Sequence, residues 1–121
     1  MANIKNYAGQ IVYFVENHQI KDFYGRILYK VDGDYLKDFY GRYLCRFDNN
    51  YIKEMSGLIV FEFVGNYIKK FAQPYIYQID NDYFKDIYGR ILYRIDGYLS
   101  KNEAMAIALI LMKDLGSGSI L

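Results

Sequence analysis

A glycine or asparagine recurs at every eighth residue along most of this chain: Gly9, Asn17, Gly25, Gly33, Gly41, Asn49, Gly57, Gly65, Asn81, Gly89 and Gly97, with Gln73 the exception. These residue types enter the left-handed backbone region at least cost, so the pattern predicts a chain reversal every eight residues. Eight residues leave about five for a strand and three for a turn, the length class of a type I turn with a glycine bulge. The eights pair into sixteens. Six sixteen-residue segments beginning at Asn3, Gln19, Tyr35, Tyr51, Tyr67 and Tyr83 follow one another without insertion, with IKDFYGRILYKVDG, LKDFYGRYLCRFDN and FKDIYGRILYRIDG as the best matches. Residues 3–98 therefore read as six β-hairpin repeats, or twelve short antiparallel strands.

One column of each eight is always apolar: Ile4, Val12, Ile20, Leu28, Leu36, Leu44, Ile52, Val60, Ile68, Ile76, Phe84 and Leu92. Its mid-strand position and constant character assign it to the interior. The column that enters each turn is also apolar (Tyr7, Val15, Phe23, Val31, Phe39, Phe47, Met55, Phe63, Phe71, Ile79, Ile87, Ile95) and is expected to lid the ends of the core.

After Tyr98 the period becomes helical. Ser100 and Glu103 have the spacing of a capping box, immediately before nine successive apolar residues, Ala104 to Met112. A helix over 100–114 with a flexible tail over 115–121 is predicted. Apolar on every side, such a helix has to be enclosed, and nine residues are too few for a bilayer span of roughly twenty. Twelve strands closed into a barrel leave a lumen wider than their own side chains fill, whereas about eight strands would not. The helix fits this lumen: about fourteen residues at roughly 1.5 Å each span about 21 Å. The expected fold is mainly β, a closed barrel or meander plugged by one C-terminal α-helix; the competing arrangement is an open meander with the helix laid on one face.

Twelve strands around a hydrophobic C-terminal helix resemble the tubby C-terminal and LURP-one-like fold, and Lys21-Asp22-Phe23-Tyr24-Gly25-Arg26 with Val31-Asp32-Gly33 is similar to the strand-turn units of that group. The resemblance is one of layout and covers most of the chain. It implies a phosphoinositide-binding surface in members of the group, but no local match carries such residues onto this sequence.

Composition narrows the chemistry. With 53% hydrophobic and 24% charged residues and a single proline, residues 1–121 read as one globular domain. Cys45 alone forms no intrachain disulfide, and His18 alone makes no zinc site, so neither metal nor cofactor is expected and buried apolar surface must hold the fold. The net charge of +1 argues against a global polyelectrolyte role, and Met1 to Gln10 lacks the layout of a signal peptide. A cytoplasmic protein without a transmembrane segment is the expectation. Almost every polar residue belongs to a repeating column, so no catalytic constellation is expected and the chain reads as a non-enzyme. His18 reads as a solvated turn residue and Cys45 as a small strand residue.

Binding is the remaining class. The first column carries Tyr35, Tyr43, Tyr51, Tyr67, Tyr75 and Tyr83; if the aliphatic column points in, these point out and form an aromatic belt suited to a protein partner or to self-association. Six lysines mark another column, Lys5, Lys21, Lys37, Lys53, Lys69 and Lys85, matched in the alternate strands by Tyr13, Tyr29, Cys45, Phe61, Tyr77 and Tyr93. Lysine alternating with aromatic groups could track the phosphates of nucleic acid or anionic lipid, with Lys37, Lys53 and Lys69 beside the tyrosine belt. A bland arrangement also fits, with each lysine lying over a ring and keeping its head in water. Glycan binding is a third reading, from the likeness to aromatic-rich bacterial cell-wall repeats. Asp22, Asp38 and Asp86 stand to pair with Arg26, Arg42 and Arg90 across the turns. Two repeats depart from the pattern, at Met55-Ser56-Gly57-Leu58 and at Ala72-Gln73-Pro74, and the sector around Tyr67 between them is the expected contact surface.

Overall fold

Two kinds of turn alternate along the chain. In the first, the Asp22 carboxylate accepts the backbone N–H of Tyr24 and of Arg26, both at 3.0 Å, while Gly25 takes φ +84°. Asp38 and Asp86 repeat this arrangement, and Asn6 repeats it with Ala8 and Gln10. This is a type I turn closed by a left-handed residue, as the spacing predicts. Where the pattern departs, both halves change together: Lys70 replaces the accepting carboxylate, and Pro74 has no N–H to offer it. There Ala72 takes the left-handed conformation, at φ +61°. The second kind of turn has two residues. In Asn17-His18 both φ angles are positive, +52° and +61°, as a type I′ hairpin requires.

The computed structural model describes residues 1–117 and 121. These turns join twelve strands: β1 (Ala2–Asn6), β2 (Ile11–Glu16), β3 (Gln19–Asp22), β4 (Ile27–Asp32), β5 (Tyr35–Asp38), β6 (Tyr43–Asp48), β7 (Tyr51–Lys53), β8 (Ile59–Val64), β9 (Tyr67–Lys70), β10 (Tyr75–Ile79), β11 (Tyr83–Asp86) and β12 (Ile91–Gly97). Each pairs antiparallel with its chain neighbours, and β1 pairs with β12, so the meander closes into a barrel. At this seam Ala2 faces Gly97, whose φ is +116° and where an added Cβ would lie 2.3 Å from the carbonyl oxygen of Met1. Closure therefore depends on a residue without a side chain.

The register corrects half of the expected interior. Every pair that crosses a Gly-type turn contains a bulge: Ile4 faces Tyr13 but Lys5 faces Ile11, leaving Val12 as the extra residue. Leu28, Leu44, Val60, Ile76 and Leu92 are the extra residues of the other five. A bulge shifts the alternation by one position, so the same column faces differently in odd and even strands. Ile4, Ile20, Leu36, Ile52, Ile68 and Phe84 are fully buried, as expected, whereas Val12, Leu28, Leu44, Val60, Ile76 and Leu92 are only half-buried. The even strands turn inward instead with Tyr13 and Val15, Tyr29 and Val31, Cys45 and Phe47, Phe61 and Phe63, Tyr77 and Ile79, and Tyr93 and Ile95, which face the odd-strand core residues across the ladder. The expected outer alternation of lysine with Tyr13, Tyr29, Cys45, Phe61, Tyr77 and Tyr93 is thereby corrected: those aromatic and thiol groups belong to the lumen.

The lumen holds helix α1 (Lys101–Asp114), and Met105 to Met112 are each at most 2% exposed. The capping box forms: Ser100 Oγ accepts the Glu103 N–H at 3.2 Å, and Glu103 accepts the Ser100 N–H at 2.9 Å. Eight consecutive buried helical residues require neighbours on all sides, which a closed barrel supplies and a single sheet face does not. The plug is also tied at both ends. The two-residue turns surround its N-terminus, where Asn102 Nδ2 donates to the Gly33 carbonyl at 2.9 Å and His18 Nδ1 lies 3.1 Å from the Glu103 carboxylate. At its C-terminus the Tyr77 hydroxyl lies 2.7 Å from Ser117 Oγ, and Lys113 Nζ donates to the Tyr29 hydroxyl at 3.5 Å. Of the tail expected to be flexible, Ser117 donates its N–H to the Met112 carbonyl and Leu121 packs against the core; residues 118–120 lie outside the described residues. No helix among the described residues is long and apolar enough to cross a membrane.

Candidate interaction surface

The barrel presents a wall and two rims. On the wall, the predicted tyrosines and lysines do point outward, and the structure gathers them into small clusters. Tyr35 on β5 and Tyr43 on β6 meet edge to face with ring centroids 5.0 Å apart, and Lys37 Nζ lies 4.8 Å from the Tyr43 ring. Tyr67 and Tyr75 stand 5.3 Å apart, with Lys69 Nζ 5.8 Å from the Tyr75 ring. Lys85 lies over Tyr83 at 5.4 Å. Tyr51 and Lys53 on β7 fall between these groups, half-buried. Only Tyr43, Tyr67 and Tyr75 of the six tyrosines are classed as exposed, at 49%, 43% and 41%.

Charge on the wall is largely balanced by neighbours. Lys37 pairs with Asp32 and Lys5 with Asp96, both at 2.7 Å; Lys53 pairs with Asp48, Lys69 with Glu62 at 3.5 Å and Lys85 with Asp80 at 3.8 Å. The Lys37 hydrogen bond and charge hold the Asp32 carboxyl below its ordinary range, and Lys53 and Lys5 do the same for Asp48 and Asp96. Reciprocally, the bond to Asp32 raises the Lys37 ammonium. Lys37, Lys69 and Lys85 hold their ammonium groups near tyrosine rings, and all five lysines give their heads to carboxylates rather than to water alone.

The rim built from the Gly-type turns is different. Its loops carry Tyr7, Phe23, Tyr24, Phe39, Tyr40 and Tyr88 at their tips, with Tyr7 and Tyr40 89% and Tyr88 92% exposed. Tyr7, Phe23, Phe39, Met55 and Phe71 belong to the column expected to lid the core, and all are exposed; Ile87 is half-buried, and Val15, Val31, Phe47, Phe63, Ile79 and Ile95 do line the lumen. The physical reason is the three-residue loop, which carries its first two side chains beyond the end of the ladder. Tyr24, Tyr40 and Tyr88 were visible in sequence only as the residue before a turn glycine. The tips are locally ordered: Phe23 and Tyr24 rings lie 3.9 Å apart, Phe39 and Tyr40 5.2 Å, and the Arg26 guanidinium 5.5 Å from the Tyr24 ring. Beneath them the predicted pairs form, Arg26 with Asp22 at 2.7 Å, Arg42 with Asp38 at 3.1 Å and Arg90 with Asp86 at 3.0 Å. At Asp22 desolvation pushes the carboxyl upward, but bonds from Arg26 and Tyr24 outweigh it and leave the group below its ordinary value.

The lone cysteine and histidine are placed apart. Cys45 is fully buried among the lumen residues, and desolvation pushes its thiol up to about 12. His18 is exposed on the opposite rim, against Glu103. Among the described residues, no three His, Cys, Asp or Glu side chains gather as a metal site.

Fold and surface together define a repeat-built β-barrel threaded by its own C-terminal helix, with a self-paired wall and an aromatic rim. No protein-family model, curated protein or solved structure matches the chain.

Proposed function

We propose that this protein is a non-catalytic interaction module that binds another protein chain through its exposed aromatic surface. The observation that supports this reading most directly is the row of turn-tip aromatic side chains, each more than half exposed. Tyrosine and phenylalanine offer large contact area with few torsions to immobilise, which suits a protein interface. The wall clusters around Tyr43 and around Tyr67 and Tyr75 extend the same surface downward.

Phosphate binding through the lysine column is the weaker reading, because five of its six lysines already face carboxylates. The tubby-like layout supports a binding role in general; the phosphoinositide function of that group is not carried over, for the same reason. A glycan reading has only the exposed rings in its favour.

The test is site-specific photocrosslinking in the expressing cell. A benzophenone amino acid at position 40 should yield covalent protein adducts, and one at Lys30, exposed on the wall, should yield few. Adduct yield should change little with salt, whereas phosphate binding would fall steeply. Absence of adducts at position 40 would remove the proposal, and competition by soluble sugars would replace it.

A further inference from the structure

The aromatic tips are not demanded by the turns that carry them. The central positions of a type I turn accept most residues, and the backbone geometry here is already secured by the Asp22, Asp38 and Asp86 carboxylates and a glycine. Six tips projecting into water are then a cost to solubility that the fold does not require. Tyr7, Phe23, Tyr24, Phe39, Tyr40 and Tyr88, at their observed exposures, present roughly 900 Å² of aromatic surface, about what one side of a standard interface contributes.

Two clefts beside the first turn are lined mainly by apolar side chains. A cleft of ≈ 510 Å³ between the last turn and the first is lined by Tyr7, Ile91, Leu92, Tyr93 and Leu115. Another of ≈ 640 Å³, between the first and second turns, is lined by Ile11, Val12, Phe14 and Phe23. The sixteen-residue repeat spaces the turns around the closed ring; the six tips stand on the first, second, third and sixth, and these two clefts flank the first. With one copy turned over, the Tyr7 tip of each faces a cleft beside the first turn of the other. Two-fold association requires such self-complementarity of one patch.

Charge permits the contact. Three of the turns are internally neutral through their Asp–Arg pairs, and a fourth carries the uncharged Asn6 and Gln10. The two departing turns carry Glu54 and Lys70, of opposite sign and adjacent on the rim. The wall offers its tyrosines half-covered and most of its column lysines already paired, and the cleft beside Tyr83 is lined by Lys5 and Arg94.

We propose that the aromatic rim docks on a second copy of this chain, rim to rim, with the tips of each copy seated in the clefts of the other. The proposal rests on the interaction-module reading and names its partner. It is tested by sedimentation velocity on the purified full chain at micromolar concentrations, at low and high salt. A dimer at both salts is expected. Tyr24→Ser, Tyr40→Ser and Tyr88→Ser combined should weaken it roughly a hundredfold or more, as loss of several aromatic hot spots does, with an unchanged circular-dichroism melt. Lys30→Ser, exposed on the wall, should leave it intact.

A wild-type monomer overturns the second-copy proposal, as does a dimer indifferent to the tip changes or abolished by the wall change. A monomer that floats with phosphatidylcholine vesicles through its tips overturns it in favour of a bilayer. A monomer whose position 40 crosslinks a different protein in the cell overturns the partner but leaves the module reading standing; no adduct of either kind ends both.

Discussion

The hydroxyl of Tyr13, on the second strand, donates to the carboxylate of Asp114 at the end of the helix, 101 residues later. It joins wall to plug where a carboxylate would otherwise sit against the negative end of the helix dipole. Burial, and then the Asp114 carboxylate, push the Tyr13 phenol well above its ordinary value. The unfolded chain therefore ionises first as pH rises past about 10, and the contribution, complete below that, is lost above it. Tyr13→Phe should cost about 1–2 kcal/mol at neutral pH and flatten the alkaline fall of the melting temperature. An alkaline profile identical to wild type would show that the bond is not linked to folding.

The plug fills the lumen, with Met105 to Met112 each at most 2% exposed. Removing residues 100–121 should yield an aggregating or unfolded chain, and Leu109→Ala, at a position with no exposed surface, should cost about 2–5 kcal/mol. A truncated chain that stays soluble and melts cooperatively would contradict the enclosed helix.

Leu36 and Leu44 occupy the same sequence column but not the same environment. Leu36→Asp buries an unpaired charge in the lumen and should cost several kcal/mol, whereas Leu44→Asp, at a bulge residue with partial exposure, should cost clearly less. Chemical denaturation of both variants decides it, and equal losses would refute the register.

Cys45 reports on opening of the barrel. With its thiol enclosed and its pKa raised to about 12, a disulfide reagent at mildly alkaline pH should leave it untouched in the native protein and label it at the rate of unfolding. Rapid labelling under native conditions would mean that the wall opens locally at β6.

Acid should weaken the wall. Asp32, Asp48 and Asp96 have folded-state values lowered by Lys37, Lys53 and Lys5, so their contributions are complete above the unfolded value near 3.9 and are lost as pH falls through the lower folded value. The melting temperature should hold from pH 7 to about 5 and drop below about 4, less steeply in Asp32→Asn with Asp48→Asn. A parallel drop in that variant would assign acid lability elsewhere.

Much of this architecture can be read without coordinates, because its causes are local. A glycine or asparagine at eleven of the twelve eighth positions marks a turn, ten of them in the left-handed backbone region, Asp22 and Arg26 are four residues apart, and Ser100 and Glu103 cap a helix whose composition requires enclosure. What the linear pattern does not contain is which face each even strand presents. That depends on one extra residue in each ladder, and a bulge is a property of two strands in register. It left Leu44 half-buried at the edge of the core and put Cys45 fully inside the lumen. Nor does a Phe-Tyr pair before a turn glycine declare its surroundings, since an apolar turn residue folds over a core or stands clear of it according to where the ladder ends. Closure was decided last and at longest range: Ala2 reaches β12 only because Gly97 leaves room for the backbone of Met1, a contact between the two ends of the array that only three-dimensional packing brings together.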